Sequence, residues 1–190
     1  MRFTLTYTGE LKANARPQHK HDLRREFHKQ LRVLWQQPPL AAHNHWFTPG
    51  LRKTPIDLNR RVPPYRFVPL VSPSIFLVCE LRIFLLRPEP PGAIITQGGD
   101  IDNRLKTLFD ALRVPKDKGE LPSQAAPAPD EDPFFCLLED DALIIGVSVE
   151  TDRLLADSQS ATWAHLDIQV ITRATEVIQG NRLVGNLGLM

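Results

Sequence analysis

The chain has 190 residues, of which 42% are hydrophobic and 24% charged, with a net charge of +1; that is enough apolar material for one core and one domain. No apolar run reaches the roughly 18 residues of a membrane-crossing helix, the opening "MRFTLTYTGE" lacks a signal-peptide core, and Cys79 and Cys136 alone make no disulfide framework, so a cytoplasmic, membrane-free location is expected. The small net charge conceals a split, because residues 1–99 hold 15 Lys/Arg against 6 Asp/Glu while residues 100–190 hold 8 against 16. Such polarity fits a basic surface for a polyanion beside an acidic site, or two halves that intermix and cancel.

In chain order, residues 2–8 ("RFTLTYT") alternate Phe3, Leu5 and Tyr7 with threonines and predict a half-buried strand. Residues 21–36 place Leu23, Phe27, Leu31, Leu34 and Trp35 at helical spacing, with Asp22 as the expected cap and Arg24, Arg25, His28, Lys29 and Arg32 mostly outside the apolar stripe. Residues 37–73 hold eight prolines and read as an irregular connection. The nearly continuous apolar run 74–86 predicts a central strand, and Ile101, Leu105, Leu108, Phe109 and Leu112 predict a second helix over 101–113. Residues 114–138, with five prolines and "SQAAPAPDEDP", read as a mobile surface insert. Strands follow at 142–150 and 165–171, and the tail from 173 is ambiguous. The order β-α-β-α-β-β predicts a single α+β domain over 1–190, a small mixed sheet packed on one side by two helices.

Two acidic clusters stand at the ends of these elements. In an extended segment Asp100 and Asp102 point to the same side, and at about 4 Å they repel by roughly 4 kcal/mol at an effective dielectric of 20. A helix N-terminus offsets about 0.3–1 kcal/mol of that; a Mg²⁺ ion, which favours one or two carboxylates plus waters, offsets more. The alternative is a helix cap with one solvated neighbour. Glu139, Asp140 and Asp141 stand at the mouth of an apolar strand, either as solvated turn residues or as further ligands. Lys106 lies one helical turn after Asp102, placed to pair with it or with Asp110, or to touch a phosphate.

The strings "DIDNRLKTLFDAL" and "LEDDALIIGVSVE" resemble the RusA family of Holliday-junction resolvases, whose pattern D-x-D-N-x-x-K-x-x-x-D-A-L followed by D-D-x-x-V/I is met by Asp100, Asp102, Asn103, Lys106, Asp110, Ala111 and Leu112, then Asp140 and Asp141. The close similarity covers about 30 residues, and residues 114–138 stand where the family has a short turn. The resemblance implies Mg²⁺, with Mn²⁺ as a substitute, on Asp100, Asp102 and Asp141; Lys106 as catalytic lysine; and Asp140 and Asn103 as accessories. It further implies a homodimer that nicks branched DNA in pairs and leaves 5′-phosphates. "LKANARP" stands where the family has a DNA-contacting turn, which makes Asn14 and Arg16 candidate nucleic-acid residues, and the basic surface of the first helix adds Arg24, Arg25 and Lys29. The alternative is a non-catalytic DNA- or partner-binding protein on the same fold, and hydrolysis of small phosphoesters is a remote third.

Other signals carry less. His43 and His45 of "HNH" sit in a Pro-rich loop without further ligands and are expected to be solvated, and "HKH" (19–21) reads as a helix lead-in. Trp35 belongs to the apolar stripe, whereas Trp46 is open to base stacking. Cys79 reads as inert packing.

Overall fold

The computed structural model describes residues 1–48, 56–89, 101–155, 162–178, 181–182 and 184–185. The alternation of "RFTLTYT" continues into strand β1 (Arg2–Glu10), which pairs antiparallel with β7 (Trp163–Ala174), Leu5 opposite Ile168. β7 pairs antiparallel with β4 (Leu77–Arg87), and β4 pairs in parallel with β6 (Ile144–Arg153), so the sheet order is β1-β7-β4-β6. These are the four strands that the sequence predicts, and the apolar β4 takes a central place.

Leu5, Leu81, Ile83, Leu85, Leu166, Ile168 and Val170 form the buried face of this sheet. Helices α1 (Pro17–Trp35) and α2 (Ile101–Leu112) contribute Leu23, Phe27, Leu31, Leu108 and Leu112 to the same core. The opposite face carries Thr4, Arg82, Glu150, Asp167 and Gln169 around an open groove, as an antiparallel-rich sheet with one solvated side does. The molecule is thus a single mixed α+β domain. Among the described residues, no helix is long and apolar enough to cross a membrane.

The structure adds a second sheet where irregular chain was expected. Within 37–73 lie β2 (Arg60–Val62) and β3 (Tyr65–Val71), and within 114–138 lies β5 (Phe134–Leu138), all five residues of which are buried. β3 pairs antiparallel with β2 and in parallel with β5, Phe67 opposite Phe134. Pro69 hides β3 from a pattern reading, since proline cannot donate to a ladder. It is tolerated because β2 is three residues long and reaches only Tyr65 to Phe67. Residues 40–46 form a short 3-10 turn that buries Leu40 and Trp46, so Trp46 is core rather than a base-stacking platform; its ring meets Trp35 edge-on at 6.5 Å.

Helix α1 starts at Pro17, four residues before the predicted start and without a side-chain cap. Proline at the first position supplies the fixed φ of a helix start, and Asp22 instead accepts from the Gln18 amide at 2.8 Å. The helix is also buried over a wider arc than its apolar stripe, because β5 covers His21, Arg24 and His28. The His28 ring is satisfied on both sides: Nδ1 accepts from the Phe135 amide at 2.8 Å and Nε2 donates to the Asp130 carbonyl at 3.1 Å. His21 bonds the Tyr65 hydroxyl at 3.0 Å. "HKH" is therefore part of the helix rather than a lead-in to it.

Burial, reinforced by Arg24 and Arg25, depresses His21 to about 4, and burial lowers His28 as well. A histidine held neutral in the fold contributes stability above its unfolded value near 6.5, which is lost as pH falls toward the folded value. Urea midpoints are expected to fall steadily from about pH 6.5 to 5.5, above the range in which carboxylates titrate. His21→Phe is expected to flatten that slope even though it removes the Tyr65 bond; an unchanged slope would refute the assignment.

Candidate functional site

Helix α2 carries most of the predicted site. Leu108, Ala111 and Leu112 face the core, Arg104 donates to the Leu11 carbonyl at 2.5 Å, and Thr107 Oγ1 accepts from the Ala15 amide at 3.2 Å. Of its twelve residues only Asp102 and Lys106 are exposed, with Asn103 half-buried beside them. At 100° per residue, positions 102, 106, 110 and 113 fall within one narrow arc. The helix therefore presents a ridge of alternating charge: Asp102, Lys106, Asp110, Arg113. Asp102 Oδ1 accepts from the Asn103 amide at 2.8 Å, leaving its second oxygen to solvent. Asp100 lies outside the described residues.

The lower half of the ridge is locked. Asp110, 8% exposed, meets Lys20 Nζ at 2.7 Å and Arg113 Nη2 at 2.7 Å. Burial pushes its carboxyl up, but the two cations outweigh burial and hold it below the usual carboxylate range. Arg113, 3% exposed, also bonds both oxygens of Glu120 at 2.8 Å each. Its Nε has no hydrogen-bond partner and faces Asp141 Oδ2 at 3.9 Å.

The acidic pair stands at that end of the helix. Val114 donates to the Leu138 carbonyl, and Leu138 leads directly into Glu139, Asp140 and Asp141. Asp140 caps the one-turn 3-10 helix Asp141–Leu143 by accepting from the Ala142 amide at 2.9 Å. That bond, with Asp141, Lys116 and Arg113 adding to it, keeps the Asp140 carboxyl low. Glu139 is held by Arg60 in a two-bond fork at 2.7 and 2.8 Å and by the Ser72 hydroxyl at 2.6 Å, and is spent on structure.

Asp102 and Asp141 therefore lie on one strip but toward opposite ends of α2. The rise from Asp102 to Asp110 is about 12 Å at 1.5 Å per residue. Strand pairing gives the same picture: Arg104 feels the charges of Arg87 and Glu89 at the end of β4, whereas Asp141 precedes Ile144, which pairs with Cys79 near the start of β4. Among the described residues no three His, Cys, Asp or Glu converge as a metal-ligand group. The common pocket expected for Asp102 and Asp141 is, in this arrangement, two acidic stations.

The basic candidates divide. Arg24 is 1% exposed and donates to the Asp110 and Arg113 carbonyls at 2.7 and 3.3 Å. It caps the C-terminal carbonyls of α2 and is not available to a phosphate, which corrects that expectation. Arg25 is engaged by Glu131, and Lys29 pairs with Glu26 across exposed surface. Asn14 and Arg16 are exposed in the turn between β1 and α1, where Asn14 adopts a left-handed φ of 48° that asparagine tolerates. His43 stacks on Trp46 at 4.1 Å and is half-buried rather than solvated. Cys79 is inert packing as read: burial pushes its thiol to about 12.

Sequence reasoning missed Lys20, Arg113 and Glu120 as members of the network. The three-residue spacing of Asp110 and Arg113 was a usable signal; the reach of Glu120 back from the insert had none. The chain matches no known protein family, no curated protein and no solved structure.

Proposed function

We propose that this protein is a Mg²⁺-dependent structure-specific endodeoxyribonuclease acting on branched DNA, as its resemblance to the RusA family implies. The observation that carries the reading is the exposure of Asp102 and Lys106 alone on a helix otherwise turned inward. A solvated acid and a lysine one turn apart serve no packing purpose, and they share a strip with a second acidic pair. The donors are all carboxylate oxygens, the ligand type that Mg²⁺ selects. By the resemblance, Asp102 and its sequence neighbour Asp100 would hold one ion and Asp141 with Asp140 a second, each ion taking two carboxylates plus waters. When bound, the ions supply an activated water and stabilise the leaving 3′ oxygen. Lys106, between the stations, neutralises charge on the phosphate under attack, while Lys20 and Arg113 silence Asp110 so that it does not repel that phosphate. A homodimer would present two such strips about a two-fold axis, matching a four-way junction.

The separation of Asp102 from Asp141 favours a second reading, a non-catalytic protein that recognises DNA through the same surface. One experiment separates the two: a labelled synthetic four-way junction incubated with the protein, with and without Mg²⁺. Symmetric, ligatable nicks bearing 5′-phosphates are expected only with Mg²⁺. A gel shift with no product in Mg²⁺ or Mn²⁺ would leave only the binding protein.

A further inference from the structure

The insert contains "PDEDP", three consecutive acids, and each of them grips an arginine from the basic half of the chain. Asp130 Oδ2 meets Arg32 Nη1 at 2.7 Å, Glu131 takes Arg25 through two bonds at 2.6 and 3.2 Å, and Asp132 Oδ1 meets Arg66 Nε at 2.8 Å. Arg25 and Arg32, seven residues apart, lie on the same face of α1 two turns from each other, and Arg66 lies on β3. We infer that this arginine face is a docking surface for a nucleic-acid phosphate backbone, and that the chain's own Asp130–Asp132 segment occupies it in place of phosphates. The inference rests on the reading of DNA as the partner.

A guanidinium donates to carboxylate and phosphate oxygens in the same way, through a fork at Arg25 and single bonds at Arg32 and Arg66, so a surface that holds three carboxylates in a row also fits phosphates where the exposed ones give way. The three contacts are not equivalent. Glu131 is 5% exposed and also accepts from the Ala128 amide at 2.8 Å, which makes it the anchor of the segment. The side chains of Asp130 and Asp132 are 49% and 64% exposed, and ion pairs in that setting contribute little net stability. They can therefore yield to a phosphate while Glu131 stays. Lys29, exposed beside Arg32 and paired only across the surface, extends the track. The acidic strap thus lowers affinity for ordinary duplex and reserves the face for a substrate that supplies many phosphates at once.

The test is the double variant Asp130→Asn/Asp132→Asn, titrated by fluorescence anisotropy against a short duplex and a four-way junction in EDTA at several salt concentrations. Duplex affinity is expected to rise about 10-fold, with the salt slope steeper by one to two because one to two more phosphates are neutralised. Glu150→Gln/Asp152→Asn, which removes the same charge from exposed β6, is expected to change affinity far less. Adding Arg32→Ala to the strap variant should remove about half of the gain, since Arg66 stays free of Asp132. Equal gains in both double variants, no gain in the strap variant, a gain undiminished by Arg32→Ala, or equally tight binding of a polyglutamate peptide would each overturn the inference. Cleavage plays no part in these titrations, so a strap variant that binds tighter but never cuts removes the nuclease reading alone.

Discussion

Asp102→Asn and Asp141→Asn are each expected to lower junction cleavage by more than about 100-fold, since even the outer partners of metal ligands cost 10–100-fold when removed. Asparagine preserves size at both positions. At 102 it still offers an oxygen to the Asn103 amide, and at 141 the charged groups met are the neighbouring Asp140 carboxyl and, loosely, Arg113. Neither variant removes a packed group, so lost activity would report lost charge rather than lost fold. Junction binding is expected to hold or tighten, because one negative charge leaves the strip that the proposal sets against phosphate. Two variants that cut at the wild-type rate would end the nuclease proposal. Mixing the variants then reports how stations at opposite ends of α2 meet. If each site is built within one chain, a mixed dimer carries two damaged sites and stays silent. If each site takes Asp102 from one copy and Asp141 from the other, one intact site forms and single-strand nicking returns.

Six elements were legible because their burial follows a simple period. β1 and β7 alternate, β6 does so more loosely, α1 and α2 repeat at helical spacing, and β4 is apolar nearly throughout. The second sheet was not legible, because its strands are interrupted or masked by proline: Pro69 sits inside β3 and Pro133 directly precedes β5. The misplacement of Arg24 and His28 has the same origin. A basic residue beside an apolar stripe reads as exposed until a further strand covers it, and β5 was that strand. In the site, the exposed pair Asp102 and Lys106 followed from helix periodicity, since four residues make one turn. The distance from that pair to Asp141 did not, because it depends on how β5 returns the chain to the start of β6, a tertiary matter that no local pattern encodes.

Arg113→Met should cost stability on a scale that few other substitutions match. Arg113 is buried, and it holds two carboxylates that α2 and the insert bring together, Asp110 at 2.7 Å and Glu120 at 2.8 Å. Methionine keeps the length and apolar stem but leaves Asp110 with Lys20 alone, and Glu120 with only the Lys116 amide. Breaking a buried pair from one side costs about 3–5 kcal/mol. Glu120 can turn toward water, which puts the expectation near the lower figure, a fall in melting temperature of roughly 6–12 °C for a chain of this size. Arg113→Lys is expected to recover less than half, since a single ammonium cannot reach both carboxylates with the paired bonds that a guanidinium makes. Full rescue by lysine would show that the charge alone matters and that the fork is incidental. Asp141→Asn, which breaks a half-exposed 3.9 Å contact, should by contrast move stability by less than about 0.5 kcal/mol. That contrast separates the two roles meeting at this corner. Arg113 acts on the fold through Asp110 and Glu120, and Asp141 stays held loosely enough to serve a ligand.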